Sequence, residues 1–415
     1  MTRRGAARVM IAAAAAAGFA VAGAWSLRLA RADYWFGQET VASTAKALEF
    51  TPDQSEYLVR LALLVGDQDP ARALAALRQA VKLNPNDGRA WVEQGLRLEE
   101  AGDLVGAESA LLTAADIDET YLPRWTLLNY YFRRNNADRF WYWAKAAVPM
   151  IYGDPVPLFH LCGRVEEDGR LIGRLDIRQP EIQSAYVFYL LDSGHADLAG
   201  SASRDVLAGK RKEDVPLLLE ACDRLIDAGR IEDSEAIWDG LAHSGRLTLP
   251  PRIEPAPILT DGDFAVSPVG HGYDWRLPEL EGISASREDG AAGLRLTFSG
   301  MQAEAAEPLL QFVRVEEDAA YQLRYSYRTS DIGAESGLAW CVTGMNGERI
   351  AESRELTPGE TADGIMPFVT PPGCRVVRLS LEYRRRPGTT RIAGYLVLRG
   401  VQMQLRPTSG KQTGS

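Results

Sequence analysis

The stretch "AWVEQGLRLEEAGDLVGAESALLTAADIDE", residues 90–119, decides the fold of the first half of the chain. Its apolar residues recur with the spacing of two amphipathic helices, and Gly102 marks the turn between them. Trp91 is large enough to fill the space between two packed helices, whereas Gly95 and Ala107 are small enough to let the helix axes approach closely. The stretch therefore predicts a helical hairpin.

The hairpin pattern returns with a fixed period. Tyr57, Trp91 and Trp125 follow one another at intervals of 34 residues. A period of this length is the signature of stacked repeats that bury their apolar faces against one another. Three hairpins are predicted, over residues 54–87, 88–121 and 122–155. The other positions that carry the repeat are Ala73, Leu77, Ala80, Pro85, Leu111 and Ala114.

The spacing and the residue types resemble the tetratricopeptide repeat, a helical hairpin that stacks into an α-solenoid. The middle copy keeps most of the family's pattern. The first copy departs from it at Leu61, where a small residue is usual, and the third departs at Trp141, Lys145 and Val148. The third hairpin is therefore expected to have a modified second helix.

Beyond the third copy the pattern decays. Residues 155–180 are predicted to be irregular, and two degenerate hairpins with turns at Gly194 and Gly229 follow. A lead-in helix is predicted over residues 34–50, so the α-solenoid is expected to extend over 34–248.

The resemblance implies a groove lined by the first helix of each repeat, which the family uses to hold peptide segments or partner proteins. The alternative is that the same positions are solvated helix faces. The positions that match the family's groove are Arg89, Glu99 and Glu100 in one repeat and Tyr130, Arg133 and Arg134 in the next.

The apolar period changes to two beyond a proline-rich linker, which is predicted at residues 249–257. In residues 321–328 and 377–384, apolar and polar side chains alternate. Strands with one solvated face, separated by Gly, Pro and Asp turns, predict an antiparallel β-sandwich. The sandwich is expected over 258–406, and a disordered tail over 407–415.

The sandwich opens with "TDGDFAVSPVGHGYDW", residues 260–275. With the preceding Ile258 and Leu259, this stretch resembles the first strand of galactose-binding-like jelly rolls, the architecture of many carbohydrate-binding modules. The resemblance implies that Phe264 and Trp275 are core residues, and an Asp-Gly-Asp sequence is typical of a turn.

A structural calcium ion near Asp261 or Asp263 is also implied by the resemblance. Calcium needs six or more oxygen ligands, and no compact acidic loop supplies them. No other cofactor or metal is expected.

Sugar recognition by the sandwich would use aromatic rings that stack on sugar faces. The candidates are Tyr273, Trp340 and Tyr383, each of which is either a platform or a core residue. Three arginines beside a Pro-Gly turn are candidates for binding an acidic polysaccharide or an acidic partner, the alternative being a solvated hairpin loop. They are Arg384, Arg385 and Arg386.

No catalytic residue is proposed, and the protein is not expected to be an enzyme. The sequence contains no motif for a nucleophile elbow, a zinc protease or a phosphate-binding loop. His271 lies between two glycines, which favours an exposed loop over a tuned site. Cys341 and Cys374 are expected to be either a disulfide of an exported protein or small core residues.

The N-terminus predicts export. Residues 9–27 carry no charge and follow three arginines, and 19 helical residues span roughly 28 Å, about the thickness of a bilayer core. Residues 1–32 are therefore expected to be an uncleaved signal anchor with a cytoplasmic N-terminus. The alternative is secretion after cleavage at the small-x-small motifs 22–24 or 30–32.

These patterns predict a multidomain α + β protein: a transmembrane helix, an α-solenoid of tetratricopeptide-like hairpins and a jelly-roll β-sandwich. The net charge of −10 argues against nucleic acid as a partner. The expected function is that of a non-catalytic adaptor in the inner membrane of a bacterial cell envelope. Its bulk would be periplasmic, its solenoid would bind protein partners, and its setting would be polysaccharide assembly or export. The alternative is a carbohydrate-binding protein whose solenoid is a spacer.

Overall fold

The computed structural model describes residues 3–249, 258–288 and 293–406. The chain divides into two compact units, Met1–Ile177 and Arg178–Ser415. The predicted tail, and the predicted linker except for Leu249, lie outside the described residues.

The first unit is helical throughout its described length. The three predicted hairpins are confirmed as α3–α4, α5–α6 and α7–α8. The lead-in helix predicted over 34–50 is shorter than expected, because residues 34–36 continue α1 and α2 begins only at Val41. Residues 155–180, predicted to be irregular, instead contain two short helices. The ten helices are α1 (Arg3–Phe36), α2 (Val41–Phe50), α3 (Ser55–Val65), α4 (Pro70–Leu83), α5 (Gly88–Glu100), α6 (Leu104–Ile117), α7 (Tyr121–Arg133), α8 (Ala137–Ala147), α9 (Val156–Gly163) and α10 (Leu171–Leu175).

The hairpins are specified by caps at their ends and by small residues between their helices. Asp69, Asp87 and Asp103 each accept a hydrogen bond from the third backbone amide of the helix that follows, a cap that contributes about 1 kcal/mol. A methyl group added at Gly95 would lie only 2.6 Å from the side chain of Leu111. The small positions of the repeat are therefore required by the close approach of α5 and α6.

The second unit begins with the two degenerate hairpins, and the structure confirms both. Their helices are α11 (Pro180–Asp192), α12 (Ala196–Ala208), α13 (Val215–Asp227) and α14 (Ile231–His243). Gly194 and Gly229 occupy the turns with φ of 81° and 71°, a left-handed conformation that costs a glycine little.

The rest of the second unit is a sandwich of two antiparallel sheets. One sheet has the strand order β1-β2-β9-β4-β7 and the other the order β3-β8-β5-β6. The strands are β1 (Ile283–Arg287), β2 (Leu294–Ser299), β3 (Ala305–Arg314), β4 (Ala320–Ser330), β5 (Leu338–Gly344), β6 (Arg349–Glu352), β7 (Ala362–Val369), β8 (Val376–Arg384) and β9 (Ala393–Leu405).

The apolar side chains that alternate with polar ones along the strands, as predicted from the sequence, form the core between the two sheets. On β4, Tyr321, Leu323 and Tyr325 are buried in one cluster with residues of the opposite sheet, including Trp340 and Leu379. The expectation that residues 258–275 contain the first strand is wrong, because this segment forms turns and loops and the first strand begins only at Ile283.

Candidate functional site

The predicted groove positions on α5 and α7 are brought together by ion pairs between repeats. Arg133 donates two hydrogen bonds to the Glu99 carboxylate, at 2.9 and 2.6 Å. Arg134 Nη2 lies 3.7 Å from the same carboxylate. The Glu99 side chain is only 11% exposed, against 42% and 37% for the two arginines. The two guanidinium groups therefore sit over a largely covered carboxylate and keep part of their surface in solvent.

The remaining groove candidates divide into two exposed positions and one buried position. Arg89 and Glu100 are exposed, and Glu100 accepts a hydrogen bond from Arg97 at 2.8 Å. Tyr130 is 3% exposed, and its hydroxyl donates to the Leu104 carbonyl at 2.9 Å. The expectation that Tyr130 lines an open groove is wrong, because its side chain is buried between its own repeat and the previous one.

A half-buried pair of aromatic rings at the start of α7, with an exposed tyrosine against it, was not predicted from the sequence. The rings of Tyr121 and Trp125 stack with centroids 5.8 Å apart. Tyr152 meets Tyr121 edge to face at 6.4 Å and is 86% exposed. The signal was the i, i+4 spacing of Tyr121 and Trp125, which puts both on one helix face. Because Trp, Tyr and Arg dominate binding hot spots, α7 carries suitable residues at both of its ends.

The aromatic residues proposed as sugar platforms in the sandwich are core residues instead. Tyr273, Trp340 and Tyr383 are 3%, 0% and 1% exposed. Trp340 packs 6.2 Å from Trp275, and Tyr383 packs 6.0 Å from Phe298. A ring with no accessible face cannot stack on a sugar, so the platform hypothesis is wrong for all three.

The arginines near the Pro-Gly turn are neutralised by acidic partners. Arg385 donates to Glu304 at 2.7 Å and Arg386 to Glu355 at 2.6 Å. Arg384 Nη2 lies 3.5 Å from Glu382, a carboxylate that also accepts two hydrogen bonds from Arg349. Each of the three arginines therefore has an acidic partner, and Arg384 shares its partner with Arg349.

The outer face of the five-stranded sheet carries polar side chains in register, and the sequence analysis did not assign them a role. Gln322 on β4 pairs with Gln404 on β9, and Arg324 pairs with Gln402. Tyr395, further along β9, lies under the Arg295 guanidinium at 4.3 Å. The amides and guanidinium groups are suited to hydrogen-bonding sugar hydroxyls. This face could have been predicted from the sequence, because its polar residues alternate with the buried Tyr and Leu of β4 and with the buried Val and Met of β9.

Within the stretch 260–275, the carboxylates hold turns. The Asp261 carboxylate accepts hydrogen bonds from the backbone amides of Ala265 and Val266, at 2.8 and 3.1 Å. A methyl group at Gly262 would lie 2.2 Å from the Val401 carbonyl, so only glycine fits there. The predicted turn is confirmed. Calcium binding at Asp261 and Asp263 stays a prediction, and within the described ranges no three His, Cys, Asp or Glu side chains form a group that could hold a metal.

The same stretch docks on α13, which the sequence analysis missed. Asp223 on α13 accepts from Gly272 N at 2.7 Å and from Arg276 Nη2 at 2.6 Å, and its other oxygen lies 2.6 Å from His271 Nδ1. On α14, Asp239 accepts two hydrogen bonds from Arg314 of β3. His271 therefore contributes to the contact between α13 and the sandwich. Its side chain is also 43% exposed, in agreement with the exposed loop predicted from its glycine neighbours.

The buried carboxyl group of Asp274, in the same stretch, should make the folding stability of the protein depend on pH. Burial raises its pKa from 3.8 to about 6, although backbone amides of Val269 and Trp275 oppose the change. Because the pKa is raised in the folded state, the stabilisation is complete below pH 4 and is lost as the pH rises through 6. A shift of roughly two pKa units corresponds to about 3 kcal/mol.

The measurement is thermal unfolding of the wild type and of Asp274→Asn from pH 4 to pH 7. The stability difference between the two proteins is expected to shift in favour of the wild type as the pH falls through 6. Equal pH slopes in both proteins would show that Asp274 does not titrate in this range.

Of the two alternatives for Cys341 and Cys374, the structure shows no disulfide, and all four cysteines are free thiols. Cys341 lies buried on β5, where Arg349 Nη1 approaches its sulfur at 3.0 Å. Burial raises its pKa to about 12, which keeps the thiol protonated and unreactive. Cys374 lies in the turn before β8 and is half-buried.

One helix in the described part of the chain is long and apolar enough to cross a membrane. It covers Met10–Phe36 with a mean hydropathy of 1.7 in its most apolar window, and none of that window is buried. A membrane anchor and a signal sequence both have these properties.

Comparison with known proteins gave no family model and no curated protein that matches the chain. Similar solved structures include a CBM4 protein at 10% identity and a TM-score of 0.29, covering 35% of this chain and 98% of that one. Two tetratricopeptide-like structures are YrrB, a TPR protein with an unusual peptide-binding site, and MamA. YrrB is 15% identical, with a TM-score of 0.23 and 48% and 91% coverage. MamA is 15% identical, with a TM-score of 0.25 and 42% and 88% coverage. The fold assignment rests on the hairpins and sheets described above.

Proposed function

We propose that the protein is a non-catalytic adaptor, held in the inner membrane by α1, that binds a protein partner on the first helices of its hairpins. The observation that carries the proposal is the set of side chains at the two ends of α7. The half-buried rings of Tyr121 and Trp125 lie at its start, with the exposed Tyr152 against Tyr121, and the guanidinium groups of Arg133 and Arg134 lie at its end. These residue types supply most of the binding energy in protein interfaces. The setting we propose is polysaccharide assembly or export in the cell envelope.

Partner binding is tested by co-purification from solubilised membranes. Replacing Arg133 and Arg134 by alanine is expected to reduce recovery of the partner at least tenfold, because charge and hydrogen bonds are lost at the proposed contact. Replacing Arg72 and Arg78, two exposed arginines on α4, removes the same charge from a second helix and is the matched control.

A loss of binding must be separated from a loss of folding, since the double substitution leaves the covered Glu99 carboxylate unpaired. The same pair combined with Glu99→Gln removes that carboxylate and should bind equally poorly. Unchanged recovery in both variants would contradict the proposed surface.

Retention of α1 is supported by the position of the 30–32 cleavage motif. Ala32 is 0% exposed and packs against Ala47 and Tyr57, within a continuous helix. We therefore propose an uncleaved anchor with the rest of the chain on the periplasmic side. The N-terminal sequence of the protein isolated from membranes tests this. We expect a chain that still contains residues 1–32, and a mature terminus after residue 24 or 32 would contradict the proposed anchor.

A second candidate function is carbohydrate binding by the sandwich, which the outer face of the five-stranded sheet favours. Arg324, Gln402 and Gln404 are exposed side by side there. Glycan-array binding of the full chain should fall when Arg324 and Gln402 become alanine. It should persist when Arg384 and Arg386 become alanine, because those arginines are already paired. Binding that survives the first substitution would exclude this face.

A further inference from the structure

The anchor helix packs directly on α2 and α3 through the side chains of its last turns. Arg28, the first charged residue after the apolar run, donates from Nε to the carbonyl of Phe50 at the end of α2. Five residues later, Asp33 Oδ1 accepts a hydrogen bond from the Tyr57 hydroxyl at 2.5 Å. The contacts with α2 and α3 therefore begin one residue after the uncharged run ends.

The last turns of α1 are a packed part of the helical unit. Phe36 stacks on Tyr57 with ring centroids 4.3 Å apart. The Lys46 ammonium of α2 lies 5.1 Å from the centre of the Trp35 ring. Since α1 is one uninterrupted helix through these residues, its direction in the bilayer also sets the direction of α2 and α3.

Helix length fixes the level of these contacts relative to the bilayer. Arg8 and Arg28 are the charged residues that bracket the apolar run. Twenty residues at 1.5 Å each separate them by about 30 Å, the thickness of the hydrocarbon core. Arg28 therefore lies at the outer edge of the hydrocarbon. The turn that follows Phe50, with the exposed Pro52, lies at the same level because Phe50 is bonded to Arg28.

The side chains at this level are of the types found at membrane interfaces. Trp25 is 52% exposed and Tyr34 is 66% exposed. The Arg28 guanidinium lies 5.2 Å from the Trp25 ring centre. Trp and Tyr are enriched where a helix crosses the headgroup layer, and arginine extends its charge toward that layer.

We propose that the turn between α2 and α3, residues 50–54, is a lipid-contacting surface that rests in the headgroup layer and holds the helical unit at a fixed height and tilt. The partner of this surface is the phospholipid headgroup and glycerol region. The proposal rests on the anchor proposed above and adds to it that the unit is docked on the bilayer rather than tethered at a variable distance.

The experiment is a depth measurement by spin label in the full-length protein, reconstituted in phospholipid nanodiscs. Labels are attached to Pro52→Cys and, as the matched control, to Asn86→Cys. Asn86 is exposed in the equivalent turn one 34-residue repeat later. Both are made in a Cys374→Ser background, because Cys374 is a half-buried free thiol. Collisions with lipid-soluble oxygen and with a water-soluble nickel chelate report the depth of each label.

The label at position 52 is expected to collide at least threefold less often with the nickel chelate than the label at position 86. Inserting eight Gly/Ser residues between Leu27 and Arg28 should abolish this difference while α1 stays in the bilayer. Equal nickel accessibility at the two positions in the uninterrupted protein would overturn the proposal, as would a difference that survives the insertion.

Failure of the anchor itself is distinguishable, because the protein would then leave the membrane fraction on carbonate extraction. That result would overturn this proposal together with the anchor.

Discussion

Replacing Trp275 by alanine is expected to lower the free energy of unfolding of the Arg178–Ser415 unit by about 4 kcal/mol. Trp275 is 0% exposed and packs against Phe264 and Trp340, with ring centroids 5.2 and 6.2 Å away. Its indole N–H also donates to the Asp261 carbonyl at 3.0 Å. The substitution therefore leaves a large cavity and a carbonyl without its donor.

The loss would be a large fraction of the 5–15 kcal/mol that stabilises a typical domain. It is measured in the full chain by denaturant titration followed through hydrogen exchange of β8 and β9. Met301→Ala is the control, because Met301 is apolar but 74% exposed, and its replacement should change stability by less than about 0.5 kcal/mol. A Trp275 variant as stable as the Met301 variant would refute the core assignment of the stretch 260–275.

Replacing Asp223 by alanine is expected to cost about 2–3 kcal/mol. Asp223 is 18% exposed and is the shared acceptor for Arg276 and Gly272, with His271 on its second oxygen. Removing the acidic member of a largely buried pair leaves its partners unpaired, which costs up to 3–5 kcal/mol, and the partial exposure of this group reduces the effect.

The readout that distinguishes Asp223 from an ordinary surface residue is the cooperativity of unfolding. Helices α13 and α14 should exchange their amide hydrogens faster in the variant, while β4 and β9 keep their protection. Glu232→Ala is the matched control, because Glu232 and its partner Arg375 join the same two parts but are 77% and 56% exposed. It should leave exchange unchanged. Equal effects of the two substitutions would contradict a specific role for Asp223.

The helical hairpins and the strands were predictable because both depend on local periodicity. The recurrence of Tyr57, Trp91 and Trp125 every 34 residues reports packing between neighbours in sequence. The burial of Tyr383 was also predictable, since it shares the phase of Leu379 and Leu381 on β8. On β5 the phase was ambiguous, because Ala339 and Cys341 are buried on one face and Trp340 on the other.

The parts of the candidate sites that could not be predicted depend on contacts between distant residues. Arg385 is neutralised by Glu304, which lies 81 residues away, and Arg386 by Glu355, 31 residues away. Asp223 meets His271 across 48 residues. No local pattern encodes such pairs, since a solvated charge and a paired charge have the same sequence signature. The sequence therefore left the role of the basic cluster open, and the contact between the helices and the sandwich was missed.

The most direct test of the adaptor function is photo-crosslinking in living cells from a reactive amino acid placed in the full-length protein. Position 121, in the aromatic cluster of α7, is the test site, and position 78, exposed on α4, is the control. We expect one discrete protein adduct from position 121. This adduct is absent from position 78 and is lost when Arg133 and Arg134 are replaced by alanine. Identical adducts from both positions, or an adduct that survives the arginine substitutions, would contradict the account.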